Sequence, residues 1–161
     1  LISEKNSGSS FFFELDLELG SEQEQRAPVF NPDLRGARIL LVEDSPILQE
    51  MLAEMIDDID GVELCGRATG EQEALACLND SSIDLAIVDL ELNEGSGLGV
   101  LKYVSECDNA SSRPRAVVFS SYAHSVVRAR CEALGAEAFF DKAQGMDELI
   151  DFVEQAAAEA A

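Results

Sequence analysis

The sequence predicts an α/β fold in which a parallel sheet is covered by helices on both faces. Over residues 37–161, short β-branched runs alternate with helical patterns, which is typical of this class. Two of the runs, LAIVDL and RAVVFS, are apolar at consecutive positions, as central strands buried on both faces must be. The length of 161 residues suits one domain of this kind with a short additional segment.

Five runs are candidate strands of this sheet, because each is short, apolar and rich in β-branched or aromatic residues. They are Arg38–Val42, Val62–Ala68, Leu85–Leu90, Arg115–Ser120 and Ala138–Phe140. With right-handed crossovers, five strands and five helices predict a flavodoxin-like, doubly wound sheet with strand order 2-1-3-4-5.

Five helices are predicted between and after these strands. The first has apolar residues at helical spacing from Ile47 to Ile59, behind Ser45 as its cap and Pro46 in its first turn. Gly135 is placed to end the fourth helix. The second to fifth helices are predicted at Glu71–Leu78, Leu98–Cys107, Ser125–Leu134 and Met146–Ala160.

The first 36 residues have a different character. Residues 1–20 include Phe13–Leu19, where Phe and Leu alternate with Glu and Asp, the pattern of an isolated strand with one polar face. Residues 21–36 are polar and contain Pro28 and Pro32, which indicates a linker. We therefore expect an isolated strand-like segment, a linker, and an α/β domain over residues 37–161.

The composition restricts the possible partners. A formal net charge of −21 repels nucleic acid and anionic lipid, so neither DNA nor membrane contact is expected of this chain. No apolar run is long enough to cross a bilayer and no signal peptide opens the chain, which favours the cytoplasm. The four cysteines have no close spacing of the metal-binding type and are expected to be reduced.

Three acidic residues are predicted to meet where the strand order reverses. Glu43 and Asp44 follow the first strand and Asp89 follows the third, at the carboxyl edge where open α/β sheets bind ligands. Carboxylates so close raise one another's pKa values unless a cation lies between them. Oxygen ligands of this kind favour Mg²⁺.

Two further residues are expected at the same edge. Ser120 ends the fourth strand, and Lys142 follows the fifth. Three carboxylates, one Mg²⁺ and one lysine sum to zero charge. An aspartate beside Mg²⁺, a lysine and a hydroxyl is equipped to attack a phosphoryl group while the cations neutralise the charge on its oxygens.

The segments ILLVEDSP, IVDLELNEGSGL, VVFSS and AFFDK, in this order, resemble the receiver domain of two-component response regulators. The resemblance implies that Asp89 is the phosphoacceptor, that Glu43 and Asp44 hold the metal, and that Lys142 contacts the phosphate. It also implies that Ser120 is the switch hydroxyl.

Four other positions take their expected roles from this resemblance. It implies that Glu91 supplies a backbone carbonyl to the metal, that Phe139 stands in place of the usual switch tyrosine, and that Gly97 matches a usual glycine. Ala143 departs from the family, which usually has proline after the lysine. The sequence therefore does not predict the conformation of the loop after Lys142.

The resemblance further implies a signalling phosphoacceptor that catalyses its own phosphotransfer and dephosphorylation, not an enzyme acting on external substrates. Its partners would be a histidine kinase or phosphotransfer protein and a downstream protein. Two alternatives remain at this point. One is a haloacid-dehalogenase-like, Mg²⁺-dependent phosphatase, which also uses a strand-end aspartate; the other is a receiver-like binding module that works without phosphorylation.

The segment SEKNSGSSFFFELDLELG is similar to the last strand of a histidine-kinase ATP-binding domain. This similarity predicts that the chain is the C-terminal receiver of a hybrid histidine kinase, with a stand-alone regulator as the alternative. The apolar side chains of the segment also predict packing on the receiver domain or pairing between two copies of the chain, and hence a possible homodimer.

Overall fold

The computed structural model describes residues 36–108 and 113–160 of the chain. In this part, strands and helices alternate. The strands are β1 (Ala37–Val42), β2 (Val62–Ala68), β3 (Leu85–Val88), β4 (Arg115–Ser120) and β5 (Ala138–Asp141). The helices are α1 (Pro46–Asp57), α2 (Glu71–Asp80), α3 (Gly97–Ser105), α4 (Ser125–Ala133) and α5 (Met146–Ala160). The segment predicted at residues 1–20, and the linker except for Gly36, lie outside the described residues.

The five strands form one parallel sheet in the order β2-β1-β3-β4-β5, which confirms the predicted flavodoxin-like order. Val42 at the end of β1 is level with Ala68 of β2 and with Val88 of β3. Because the strands run in parallel, their carboxyl ends lie at one edge of the sheet. The strand order reverses between β1 and β3, and the predicted site lies at the carboxyl edge at this point of reversal.

Helices cover both faces of the sheet. On one face, α1 and α5 bury Leu52 and Leu149 against alternate residues of the central strands. On the other face, α2, α3 and α4 contribute buried residues that include Ala74, Leu101 and Cys131. The central strands are therefore buried on both sides, which explains their continuous apolar runs.

The predicted helix ends are largely confirmed by the capping contacts. The Ser45 hydroxyl accepts a hydrogen bond from the backbone N–H of Leu48, and Pro46 is the first residue of α1. Gly135 follows α4 with a φ angle of 90°, a conformation that glycine adopts without strain.

Two predicted boundaries need correction. Strand β3 ends at Val88, not Leu90, because the Asp89 carboxylate accepts the Leu90 N–H at 2.6 Å and turns the chain out of the sheet. Helix α1 ends at Asp57, and Ile59 follows it in a tighter turn in which its N–H bonds Ile56 O. The other helix and strand boundaries agree with the prediction to within two residues.

The four cysteines are free thiols, as predicted. Burial raises the pKa values of Cys65, Cys77 and Cys131 above that of an ordinary thiol, which favours the protonated form of these side chains. Within the described residues, no helix has the combination of length and apolar character needed to cross a bilayer.

Candidate functional site

Three carboxylates lie together at the carboxyl edge of the sheet. Glu43 and Asp44 follow β1 and Asp89 follows β3, and one oxygen of each residue lies within 4.8 Å of the other two. Glu43 is 1% exposed and Asp89 is 3% exposed, whereas Asp44 is half-buried. The structure thus brings together the predicted acidic cluster, which we define as Glu43, Asp44 and Asp89.

Lys142 reaches this acidic cluster from the loop after β5. Its Nζ donates a hydrogen bond to Asp89 Oδ2 at 2.7 Å. The same nitrogen lies 2.7 Å from Glu43 Oε2 as an ion pair. This charge-assisted contact opposes the effect of burial on the pKa of Glu43 and raises the pKa of Lys142. One ammonium group therefore serves two buried carboxylates.

The pKa values reflect this crowding. Burial raises the pKa of Glu43, and the opposing contact with Lys142 does not cancel the effect. Burial alone would lower the pKa of Lys142, but the Asp89 and Glu43 carboxylates reverse the change and raise it. Lys142 is therefore a firmly protonated cation at neutral pH, within an excess of negative charge.

Backbone groups fix the position of Asp89. Its Oδ1 accepts a hydrogen bond from the Leu90 N–H at 2.6 Å. The backbone of Gly97, at the start of α3, packs so closely that a Cβ atom there would overlap the Asp89 carbonyl oxygen. The glycine noted in the sequence is thus required by a close backbone approach beside the site.

Ser120 and Phe139 lie on neighbouring strands close to the same edge. Ser120 is fully buried at the end of β4, and its Oγ accepts a hydrogen bond from the Tyr122 N–H at 3.3 Å. Phe139 is half-buried in β5, and the Arg128 guanidinium lies 4.5 Å from the centre of its ring. The described structure therefore holds Phe139 under a cation from α4.

Glu91 lies outside the acidic cluster. Its side chain is exposed, and its backbone pairs with Ser96 in a short antiparallel bridge. The loop that contains both residues is held to α2, because Glu71 Oε2 accepts the Ser96 N–H at 2.8 Å. The predicted role of the Glu91 carbonyl as a metal ligand stays a prediction.

The loop after Lys142 is shaped without the proline that the resemblance would imply. The peptide bond between Lys142 and Ala143 is trans, like the other peptide bonds in the described ranges. Asp141 Oδ1 accepts the Ala143 N–H at 2.9 Å, and Asp141 O accepts the Gly145 N–H at 2.6 Å. Asp141 thus determines the course of this loop.

Two side chains near the site were not predicted from the sequence. Gln49 of α1 donates to the backbone carbonyls of Glu43 and Ala68, and Arg128 of α4 covers Phe139. Gln49 could have been noticed as a polar residue within the apolar pattern of the first helix. Arg128 carries no comparable signal, because it is one of several arginines in that region of the sequence.

The acidic cluster has the chemistry of a site for a hard divalent cation. Its three carboxylates supply oxygen ligands, and together with Lys142 they leave an excess of two negative charges. Glu43 Oε2 contacts Lys142 Nζ at 2.7 Å, and a carboxylate oxygen has a second lone pair that can face a cation. The residues present therefore fit Mg²⁺, which prefers carboxylate oxygens and retains several of its waters.

Comparison with known proteins identifies the family. The family model "Response regulator receiver domain" matches residues 39–154, so the chain belongs to the response regulator receiver domain family. A protein-glutamate methylesterase/protein-glutamine glutaminase of Syntrophomonas wolfei is 30% identical over 110 residues, which is 67% of this chain and 30% of that protein. The chain thus spans less than a third of the length of this curated relative.

Solved structures show the same fold. The response regulator domain of Thermotoga maritima CheB has a TM-score of 0.68 at 23% identity and covers 77% of this chain and 98% of its own. A LuxR-family two-component response regulator from an Aurantimonas species has a TM-score of 0.68 at 25% identity and covers 77% of this chain and 86% of its own.

These findings establish the class of function. The chain is a receiver domain of two-component signalling, a phosphoacceptor module of the kind that histidine kinases or phosphotransfer proteins phosphorylate. Receiver domains bind Mg²⁺ at an acidic pocket, and an acidic cluster is present here. The phosphatase and the phosphorylation-independent binding module are not favoured.

Proposed function

We propose that Asp89 is the phosphoacceptor of this receiver domain and that Lys142 is its phosphate-contacting cation. The observation that carries the proposal is the contact between Lys142 Nζ and the buried Asp89 carboxylate, within a cluster of two further acids. A buried carboxylate with a fixed cation and a defined orientation is suited to nucleophilic attack on a phosphoryl group.

In the transfer, a carboxylate oxygen of Asp89 forms a bond to the phosphorus of the donor. The bond from phosphorus to the donor's leaving group breaks, and the leaving group keeps the electron pair. Lys142 can neutralise charge on the phosphoryl oxygens. Attack of water on the same phosphorus later breaks the bond between phosphorus and the Asp89 oxygen, which leaves with the electron pair as the carboxylate, while phosphate is released and the proton of the water passes to solvent. In this proposal the domain catalyses its own phosphorylation and dephosphorylation.

The metal ligands that we propose are Glu43, Asp44, Asp89 and the backbone carbonyl of Glu91. Bound Mg²⁺ would supply positive charge to the oxygens of the transferred phosphoryl group. Asp44 is expected to hold the ion more directly than Glu43, because Glu43 is already engaged by Lys142 and by the Ser45 N–H.

Ser120 and Phe139 form the proposed switch. The phosphoryl group would draw the Ser120 hydroxyl toward its oxygens, and Phe139 would turn inward to fill the space behind it. This change would reshape the surface formed by β4, α4 and β5. A protein partner that prefers one state of that surface would then bind the phosphorylated and the unphosphorylated domain with different affinities.

The proposed phosphoryl donor is a histidine kinase or phosphotransfer protein, and the proposed output is contact with a downstream protein. The cytoplasmic location, the homodimer and the membership of a hybrid histidine kinase stay predictions. The relatives that are methylesterases and glutaminases include length that this chain does not match, so their activities are not carried over.

Intact-mass measurement after incubation with acetyl phosphate and Mg²⁺ tests the proposal. The wild-type chain should gain one phosphate, and Asp89→Asn should gain none, because the nucleophilic oxygen is replaced by an amide. Asp44→Asn should gain phosphate only at higher Mg²⁺ concentration.

A matched control is Asp151→Asn, which changes an exposed aspartate on α5 far along the chain from the acidic cluster. It should gain phosphate at the wild-type rate. Phosphate uptake by Asp89→Asn at that same rate would show that the acceptor lies elsewhere.

A further inference from the structure

Gln49 joins the ends of two neighbouring strands at the edge where the acidic cluster lies. Its side-chain Nε2 donates to Glu43 O at 2.9 Å and to Ala68 O at 3.3 Å. Ala68 is the last residue of β2, and Glu43 is the first residue after β1. Both carbonyls therefore belong to the turn region around the site. The Ala68 carbonyl also accepts the Glu43 N–H at 2.9 Å, so the shorter bond from Gln49, to the Glu43 carbonyl, is the one that bears on the site.

The Glu43 carbonyl is part of the peptide that connects the two neighbouring acids, Glu43 and Asp44. A hydrogen bond to this oxygen fixes the plane of the peptide and therefore the direction in which Asp44 leaves the backbone. Two further bonds hold the same loop: Ser45 N–H donates to Glu43 Oε1 at 3.0 Å, and Gln49 N–H donates to Ser45 O at 2.8 Å.

Asp44 depends on its backbone for orientation. Within residues 36–108 and 113–160, its carboxylate takes part in no hydrogen bond or ion pair, unlike those of Glu43 and Asp89. Its side chain is half-buried, so solvent can reach it. What aims Asp44 at the acidic cluster is the conformation of the Glu43–Asp44 peptide, which Gln49 holds.

We propose that Gln49 is a positioning residue for the divalent-cation site: by holding the Glu43 carbonyl, it presets Asp44 to bind Mg²⁺. This inference rests on the proposed function, because it requires Asp44 to be a metal ligand. Binding is tighter when a ligand group is fixed beforehand, since less conformational freedom is lost when the ion arrives.

The test compares Mg²⁺ affinities by isothermal titration calorimetry. Gln49→Met keeps the length of the side chain but removes both donors, and it should weaken Mg²⁺ binding by about fivefold, the size expected for one net hydrogen bond. Gln72→Met is the matched control, because Gln72 is an exposed glutamine near the start of α2. It should bind Mg²⁺ as the wild type does.

Two more measurements separate positioning from a general structural role. At saturating Mg²⁺, Gln49→Met should take up phosphate from acetyl phosphate at close to the wild-type rate, because Asp89 and Lys142 are unchanged. A lower melting temperature together with an Mg²⁺ dissociation constant within twofold of the wild type would overturn the inference.

If Gln49→Met does not fold, Gln49→Asn decides the question, because it keeps the carboxamide but is one methylene too short to reach both carbonyls. A several-fold loss of Mg²⁺ affinity in Gln49→Asn supports the inference, and wild-type affinity overturns it. Failure of the wild-type chain itself to bind Mg²⁺ would instead contradict the proposed function.

Discussion

Glu43 is a buried carboxylate that shares one lysine with Asp89. Since the side chain of Glu43 is 1% exposed and burial raises its pKa, its ionised form is held in the folded protein at a cost in free energy. The ionised form is nevertheless the one that can bind a cation. The site thus gives up some stability in the metal-free state for a ligand that is already in place.

The first prediction concerns stability of the metal-free protein. Glu43→Gln should raise the free energy of unfolding at pH 7 in EDTA, because it removes the buried charge while Lys142 keeps Asp89 as a partner. Because the pKa of Glu43 is higher in the folded than in the unfolded protein, the protonated side chain stabilises the folded wild type at low pH. This stabilisation is lost as the pH rises through the folded-state pKa. The advantage of the variant should therefore shrink as pH falls toward the ordinary pKa of glutamate.

Chemical denaturation of the wild type and of Glu43→Gln, from pH 7 down toward the ordinary pKa of glutamate, measures the two free energies of unfolding. In Mg²⁺ the order should reverse, because bound ion stabilises the wild type in proportion to its affinity and the variant has lost a ligand. A variant that is less stable than the wild type at pH 7 without metal would mean that the Glu43–Lys142 ion pair outweighs the cost of burial.

The residues of the acidic cluster could be predicted because each follows an apolar strand, and parallel strands end at one edge. Lys142 could be predicted for the same reason. The contact of Lys142 with Glu43 could not, because a sequence pattern gives the edge at which a side chain lies but not which carboxylate a long side chain reaches. Gln49 was not predicted for a related reason: it is visible as a polar residue of the first helix, but the sequence does not show that its partners are backbone carbonyls.

At the scale of elements, α4 and β5 are joined by a single arginine. The Arg128 guanidinium lies over the Phe139 ring, its Nη1 donates to Phe139 O at 3.3 Å, and its Nε donates to Ala123 O at 3.2 Å. The β4–α4 loop, α4 and β5 are thereby coupled. Inward rotation of Phe139 would have to give up the contact between the guanidinium and the ring.

The second prediction is that Arg128→Gln shifts Phe139 toward the inward position before any phosphorylation. A cation–π contact at a partly exposed site is worth about 0.5–1 kcal/mol, so the inward population should rise by about two- to fivefold. NMR spectra of ring-labelled phenylalanine, with and without a beryllofluoride phosphate mimic, would measure it.

Arg130→Gln is the control for this experiment, because Arg130 lies on the same helix and is exposed. It should leave the Phe139 signals unchanged. Identical Phe139 signals in the wild type and Arg128→Gln would indicate that the ring is held by its packing alone.

Element boundaries show where pattern reasoning loses precision. Apolar residues continue to Leu90, so the pattern extended β3 beyond its end at Val88. The strand stops because Asp89 bonds its neighbour's N–H, a local competition that hydrophobicity does not register. The helices were better predicted where a cap was visible, as at Ser45 and Gly135.

At the scale of the molecule, the described α/β unit has a hydrophobic core of its own. Within the described residues, the buried side chains of its three core clusters come from β1 to β4 and from all five helices, and β5 packs against them with the partly buried Ala138, Phe139 and Phe140. At the amino edge of the sheet, Arg115 pairs with Glu137 and Glu159, which joins β4 to the start of β5 and to α5. The fold class and strand order could be predicted because the alternation of strands and helices permits few compact, right-handed arrangements.

The third prediction is that deletion of residues 1–30 leaves a folded domain. The melting temperature should stay within a few degrees of the full chain, and Asp89 should still accept phosphate from acetyl phosphate, because the described core lies downstream of the deletion. Light scattering should show less self-association, since the apolar Phe and Leu residues at 11–19 are removed.

Circular dichroism melting and intact mass of the shortened chain, beside the full chain, give the comparison. A shortened chain that does not fold would show that the first 30 residues are an integral part of the domain. Unchanged self-association would place the contact between copies elsewhere on the chain.

The ammonium group of Lys142 has three N–H donors, and among the described residues it contacts two carboxylates, Asp89 and Glu43, each at 2.7 Å. Two N–H groups are enough for these two contacts. The third N–H can therefore turn to an arriving phosphoryl oxygen while both acids keep theirs. The lysine can serve the resting protein and the reacting one from a single side-chain conformation, so the arrival of the phosphoryl group requires neither of its ion pairs to be broken first.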